Sequence, residues 1–295
     1  MPCFSPLSAW QTEGEEVVFV ERGKIRRALT LPCGQCIGCR LERSRQWAVR
    51  CVHEASMHEE NCFITLTYDD EHLPPHGSLV YRHFQLFMKR LRKRAPGVRF
   101  YMCGEYGEQF KRPHFHACLF GYRFPDMVLF KRGGSGCDVF TSAILSELWT
   151  DGFASVGELT FDSAAYVARY CTKKMTGPDA ESHYWRVDFA TGEVVSVTPE
   201  FGHMSLKPGI GATWFDKYKN DVYPHDHVIV NGFEAKPPRF YDKRLLMLDP
   251  DTAEFMEVVR YKKSLASSVD CTVERLRVRE IVTRARLSFK CRSLE

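Results

Sequence analysis

The sequence predicts an α+β fold centred on a mostly antiparallel sheet covered by helices. Three observations predict it. Residues 62–175 read in the order strand, helix, strand, strand, helix, strand, helix. The strands are short runs rich in β-branched and aromatic residues, and the turn-forming glycines and prolines fall mostly between them. The 295 residues are 44% hydrophobic and 26% charged, the balance of an ordinary globular protein with an ample core.

Taken in order, residues 1–39 read as irregular, because Pro2, Pro6, Pro32, Gly34 and Gly38 interrupt any long element; "VVFV" at 17–20 is a short strand at most. From Arg40 to about His58, Leu41, Ala48, Cys51, Val52 and Ala55 recur at helical spacing. "CFITLTY" (62–68) is a strand, ended by "DDEHLPPHG". Tyr81 to Arg94 is an amphipathic helix whose buried stripe is Phe84, Phe87, Met88 and Leu91, stopped by Pro96-Gly97. "VRFYMCGE" (98–105) and "HFHACLFG" (114–121) form a hairpin, followed by an irregular glycine-rich insertion. A short helix near 143–149, a strand at 153–160 and a helix capped by Asp162 or Ser163 complete the core. Beyond 176 the chain is loose to about 250, then helical from about 252 to 290.

The net charge is only +4, which permits nucleic-acid binding without demanding it. The distribution says more. Arg40 and Arg43, with Lys89, Arg90, Arg92 and Lys93, belong to basic clusters of the kind that contact a phosphate backbone, although solvated helix faces look the same. No signal-like segment or run of 18 apolar residues occurs, so a cytosolic protein is expected. Twelve cysteines in that compartment point to thiols or metal ligands rather than disulfides.

Three clusters carry chemistry. In "KRPHFHACLFG", strand alternation puts His114 and His116 on one face and Phe115 on the other. A hairpin register setting Glu105 opposite His114 adds a carboxylate and brings Cys103 to the same face. Two imidazoles and a carboxylate suit Mn²⁺ and accept Mg²⁺, with imidazole leaning toward Zn²⁺; Glu108 is the alternative third ligand. A second pair, His225 and His227, has no such company and reads as structural or surface. In "YVARYCTKK", Tyr166 and Tyr170 lie one helical turn apart, with Lys173 a turn further and Lys174 beside it. They are either half-buried aromatics or paired nucleophiles. In "PCGQCIGCR", Cys33, Cys36 and Cys39, with Cys3 or Cys51 as fourth ligand, match a structural Zn²⁺ site, though free thiols or an iron–sulfur cluster also suit that spacing.

"FITLTYDD" (63–70), "RPHFHACLFG" (112–121) and "YVARYCTKK" (166–174), in that order, resemble the motifs of rolling-circle replication initiators of the HUH endonuclease superfamily. The closest resemblance is to those of microviruses, the small single-stranded DNA phages. The resemblance implies a ferredoxin-like or RRM-like antiparallel sheet with helices on one face. It would carry a cysteine-rich, basic N-terminal extension (1–60), a catalytic core (61–176) and a C-terminal extension (177–295). It implies a metal-dependent endonuclease and strand transferase in which Tyr166 and Tyr170 are nucleophiles and Lys173 assists, with the metal on His114, His116 and Glu105. Lys174 would contact DNA. Partners would be viral origin DNA and a host polymerase and helicase, in the bacterial cytoplasm. Two other readings remain at this level: a relaxase or transposase of the same superfamily, and a zinc-dependent, non-catalytic single-strand binder using Tyr101 and Phe115.

Overall fold

A computed structural model describes residues 3–107, 110–133, 138–173, 180–188, 191–266 and 268–288, the side chains of 170–173 excepted. The chain divides into two compact units, one comprising Met1–Arg43 and Asp249–Arg292, the other Ser44–Leu248 and Ser293–Glu295.

In the first unit, β1 (Leu7–Thr12), β2 (Val17–Val18) and β3 (Ile25–Leu31) form an antiparallel sheet in the order β2-β1-β3. An irregular segment was expected there. The sheet exists because the turn-forming residues fall between its strands: Glu15 and Gly23 adopt positive φ (64° and 74°), and the Thr12 N–H donates to the Glu16 carbonyl at 2.9 Å. Helix α1 (Ile37–Ala55) begins in this unit, and its residues from Ser44 onward belong to the second.

The second unit continues with β4 (Asn61–Tyr68), α2 (Tyr81–Arg94), β5 (Arg99–Tyr106) and β6 (Pro113–Phe120). Next come β7 (Val128–Lys131), β8 (Val139–Thr141), α3 (Ala143–Leu148), β9 (Gly152–Gly157) and α4 (Phe161–Lys173). α5 (Ala180–His183) and the hairpin β10 (Trp185–Val187) with β11 (Val194–Ser196) lead to β12 (Phe201–Met204). α6 (Ala212–Val222), the hairpin β13 (Val228–Val230) with β14 (Phe233–Ala235), and α7 (Arg239–Leu248) close the unit. The stretch after 176 is therefore far less loose than its glycines and prolines suggest. The expected C-terminal helices are α8 (Pro250–Ala266) and α9 (Val273–Ser288). Among the described residues, no helix is long and apolar enough to cross a membrane.

Among the described residues, seven strands form one antiparallel sheet in the order β12-β5-β6-β4-β9-β8-β7. β6 lies between β4 and β5, the two strands joined by α2, which is the split βαβ arrangement. The glycine-rich insertion is flanked by the paired strands β7 and β8, which extend the sheet past β9.

On one face, Ile64, Leu66, Met102, Phe115, Ala117 and Leu119 pack against Phe84, Phe87, Met88 and Leu91 of α2 and Leu145 of α3. On the other, Tyr101, Cys103, Cys118 and Phe120 meet Ala48 and Cys51 of α1 and Ala164, Val167 and Ala168 of α4. Helices on one face only, as the sequence resemblance implied, is thus corrected: they cover both. The physical reason is in the strands themselves. "FYMC" and "ACLF" are apolar at successive positions, and a strand without a polar side has to be buried from both.

The cap of α4 is corrected as well. Thr160 Oγ1 accepts the Ser163 N–H at 3.1 Å while Ser163 Oγ accepts the Thr160 N–H at 2.8 Å, a reciprocal box that leaves Asp162 in the first turn.

Candidate active site

The site grows from the alternation of β6. Phe115 is fully buried, with the rings of Tyr68 and Phe84 at 5.9 and 5.8 Å, and this anchor turns His114 and His116 to the opposite face. On one side β5 sets Glu105 opposite His114 and Cys103 opposite His116. On the other, β4 sets Thr67 opposite His114 and Thr65 opposite His116. Each threonine hydroxyl bonds the Nδ1 of its histidine, at 3.0 Å for His114 and 2.9 Å for His116.

Those hydrogen bonds orient the rings and leave each Nε2 directed away from β4. His116 Nε2 meets Glu105 Oε1 at 2.7 Å, and both residues are buried. The contact is diagonal across the ladder, since Glu105 is paired with His114 in the register. His114 Nε2 faces Gly107, where an added Cβ would stand only 3.0 Å from the nitrogen. Burial, then the neighbouring His116 and Arg112, push the His114 imidazolium down to about 4, so the ring is neutral at pH 7.

The register brings the three expected ligands to one face, but their donor atoms do not converge within 4.8 Å of one another as those of the cysteine cluster do. Glu105 and His116 are in direct contact, while the His114 ring lies 6.2 Å from that of His116. In chemical type the donors still suit a divalent cation, and His116 and Glu105 already stand at the spacing of two adjacent ligands, with His114 outside that spacing. Adjacent ligands at ~2.1 Å stand roughly 3 Å apart, close to the His116–Glu105 separation, and a neutral imidazole is the form that ligates. Glu108 lies outside the described residues.

Helix α4 crosses β5 and β6 and carries Tyr166 to the histidines. Tyr166 is 6% exposed, its ring edge-on to His116 at 5.1 Å and to Phe63 at 6.4 Å. Phe63 in turn stacks on His116 at 5.8 Å. The backbone of α4 runs on through Tyr170 and Lys173, but their side chains, and all of Lys174, lie outside the described residues.

The basic residues are dispersed. α2 packs on the Phe115 face, so its stripe is across the sheet from the histidines. Lys89 and Lys93 are exposed there; Arg90 donates to the Leu148 carbonyl at 2.7 Å, and Arg92 to that of Val98 at 3.3 Å. Arg40 and Arg43 lie in the first unit, where Arg43 reaches the Gly34 carbonyl at 3.4 Å. Tyr101 and Phe115, the stacking residues of the binding-module reading, are 1% and 0% exposed and have no face to offer a base.

Cys3, Cys33, Cys36 and Cys39 bring their sulfurs within 4.8 Å of one another in the first unit. The Cys3–Cys33 and Cys3–Cys36 sulfur separations are 3.6 and 3.9 Å; a tetrahedron with metal–sulfur bonds of ~2.3 Å has edges of about 3.8 Å. Backbone N–H groups of Phe4, Cys33 and Cys36 donate to sulfurs of the cluster, each at 3.3 Å. Burial raises the Cys36 thiol, but the backbone N–H groups of Phe4 and Cys39 and the neighbouring thiols outweigh it and bring it to about 7. The cluster can hold a metal such as zinc. Cys51, the alternative fourth ligand, is instead buried beside Cys118 in the core of the second unit.

In the sequence Thr65 and Thr67 stand only inside the motif at 63–70, with no role of their own, and Gly107 carries no signal. Alternation in "FITLTY" does place both threonines on one face, yet only the β4–β6 register shows that the histidines share it. His225 and His227 sit in a surface turn before β13, as their surroundings suggested.

A model of the family described as replication-associated protein ORF2/G2P matches residues 61–175. Replication-associated protein VP4 of Bdellovibrio phage phiMH2K is 34% identical over 255 residues, covering 82% of this chain and 76% of that protein. Replication-associated protein ORF2 of Spiroplasma virus 4 is 34% identical over 271 residues, 83% of this chain and 80% of its own. Replication-associated protein ORF4 of Chlamydia phage 1 is 31% identical over 235 residues, 76% of this chain and 56% of its own. No solved structure matches the chain.

Proposed function

Since this chain belongs to the family of phage replication-associated proteins, we propose that it starts and ends copying of the viral genome by nicking and rejoining the origin strand. The observation that carries the reading is the contact of a helix-borne tyrosine with the histidine–carboxylate face. Tyr166 lies against His116, His116 bonds Glu105, and Thr65 and Thr67 hold both imidazoles from behind.

In this reading residues 61–176 are the catalytic core. His114, His116 and Glu105 would hold Mg²⁺ or Mn²⁺, and the ion would supply stabilisation of negative charge on the scissile phosphate. A phenol with an ordinary pKa of ~10 needs that help near neutrality. Tyr166 or Tyr170 attacks phosphorus in line, the 3′ oxygen leaves to prime synthesis, and the 5′ phosphate stays on the tyrosine. After one round, the second tyrosine cuts the regenerated junction and the freed 3′-hydroxyl attacks the first phosphotyrosine, closing the circle. Each step exchanges one phosphoester for another, so cutting and joining need no ATP. Lys173 would contact the phosphate, and Lys174 the flanking backbone. A host polymerase and helicase are the implied partners.

The reading is tested by incubating the protein with a labelled single-stranded origin fragment and Mn²⁺ or Mg²⁺. A denaturant-resistant protein–DNA adduct is expected. Metal-independent binding with no adduct anywhere along the genome sequence would overturn it. The threonines give a finer check, because Thr67→Val removes the hydroxyl on His114 Nδ1 while keeping the strand. A roughly 10- to 100-fold rise in the Mn²⁺ concentration giving half-maximal adduct is expected, with unchanged melting temperature.

A further inference from the structure

The half of the sheet that α4 leaves open carries two exposed aromatics with no role in the chemistry above. The register runs Glu105, His114, Thr67, Phe153 straight across β5, β6, β4 and β9, so Phe153 shares the face of the histidines. It is 50% exposed. Phe130 of the edge strand β7 packs beside it, with ring centroids 5.7 Å apart, and is 62% exposed. The register of β7 shifts between Leu129 and Lys131, so Phe130 stands at an irregularity of the strand, and its ring contact with Phe153 is what sets it on the histidine side. Lys131 and Arg132 follow immediately and are exposed.

We infer that Phe130 and Phe153 form a base-stacking platform for the single-stranded origin DNA whose phosphate is cut at the histidines, with Lys131 and Arg132 holding its backbone. This rests on the nicking reading and adds where the strand runs. Phe153 is two strands from His114, about 10 Å at ~4.8 Å per strand. That is roughly three stacked nucleotides at ~3.4 Å each. Two large apolar rings left in water beside a polar site are costly without an occupant, and nucleobases offer flat faces to any sequence. Paired with cations, the patch suits a polyanion carrying aromatic bases better than it suits an apolar protein surface.

The test is metal-free binding of a fluorescent 12-nucleotide oligo(dT) to the full chain, alongside adduct formation on an origin fragment. Phe130→Ala/Phe153→Ala is expected to weaken oligo(dT) binding about 10- to 100-fold. It should raise the KM for adduct formation by a similar factor with kcat little changed, and the conservative Phe130→Tyr/Phe153→Tyr should keep both at wild-type values. An oligonucleotide abasic throughout should bind wild type and variant alike. Both rings are exposed, so unchanged melting temperatures will separate lost stacking from misfolding. Wild-type affinity in the alanine double variant would overturn the platform while a wild-type adduct keeps the nicking reading. No adduct from the wild-type protein would instead overturn the nicking reading. Full affinity on replacement of both rings by leucine would show apolar contact rather than stacking, and so overturn the inference.

Discussion

Tyr166→Phe/Tyr170→Phe is expected to reduce the covalent protein–DNA adduct to background while DNA binding and melting temperature stay at wild-type values. The change removes two phenolic oxygens and keeps both rings. The phenyl ring left at position 166 would keep its edge contacts with His116 and Phe63, which are made by ring atoms and not by the hydroxyl. Loss of the adduct would therefore report loss of the nucleophile, not of packing. The single variants sharpen the result. Each is expected to retain a first cut and to fail at closing the circle, because the second transfer needs the tyrosine that is still free. A single variant that completes circles at the wild-type rate would sink the alternating use of two phenols, and an undiminished adduct in the double variant would sink the tyrosine mechanism.

The second large effect concerns the cysteines. Purified protein is expected to contain one zinc per chain, and Cys33→Ser or a strong chelator should remove it. The consequence is for folding. The first unit has a three-stranded sheet whose strand β3 is largely exposed, and Cys3 ties the start of the chain to the loop before α1. In small thiolate sites the metal's binding free energy, roughly 10 to 16 kcal/mol, is largely folding free energy. Chelation should thus expose residues 3–43 to proteolysis and lower the first thermal transition. Zinc-free protein with unchanged proteolysis would show that the thiolates are not a structural centre.

How much is legible in the sequence depends on how each element buries its residues. α2 is readable to its ends because Phe84, Phe87, Met88 and Leu91 repeat at helical spacing between charged residues, and the structure buries those four. β4, β5 and β6 are readable to within a residue because turn-forming segments bracket them. β1 and β3 of the first unit escape such a reading, since neither shows clean alternation, while β2 takes up the first half of "VVFV". β12 escapes it for a different reason. Its place at the sheet edge comes from pairing with β5, about 100 residues earlier, and no local pattern encodes that.

The candidate site divides in the same way. The residue types and their spacing established two imidazoles on one side of a strand, two tyrosines a helical turn apart and three clustered cysteines, because strand and helix periodicities are local properties of the chain. Cys3 rather than Cys51 as the fourth thiol, Thr65 and Thr67 behind the imidazoles, and Glu105 on His116 rather than on His114 were settled only by tertiary structure. So was the second helical layer that sets Tyr166 against His116. Each of these depends on strand register or helix docking, where residues distant in sequence meet because burying both faces of the sheet leaves them no other arrangement.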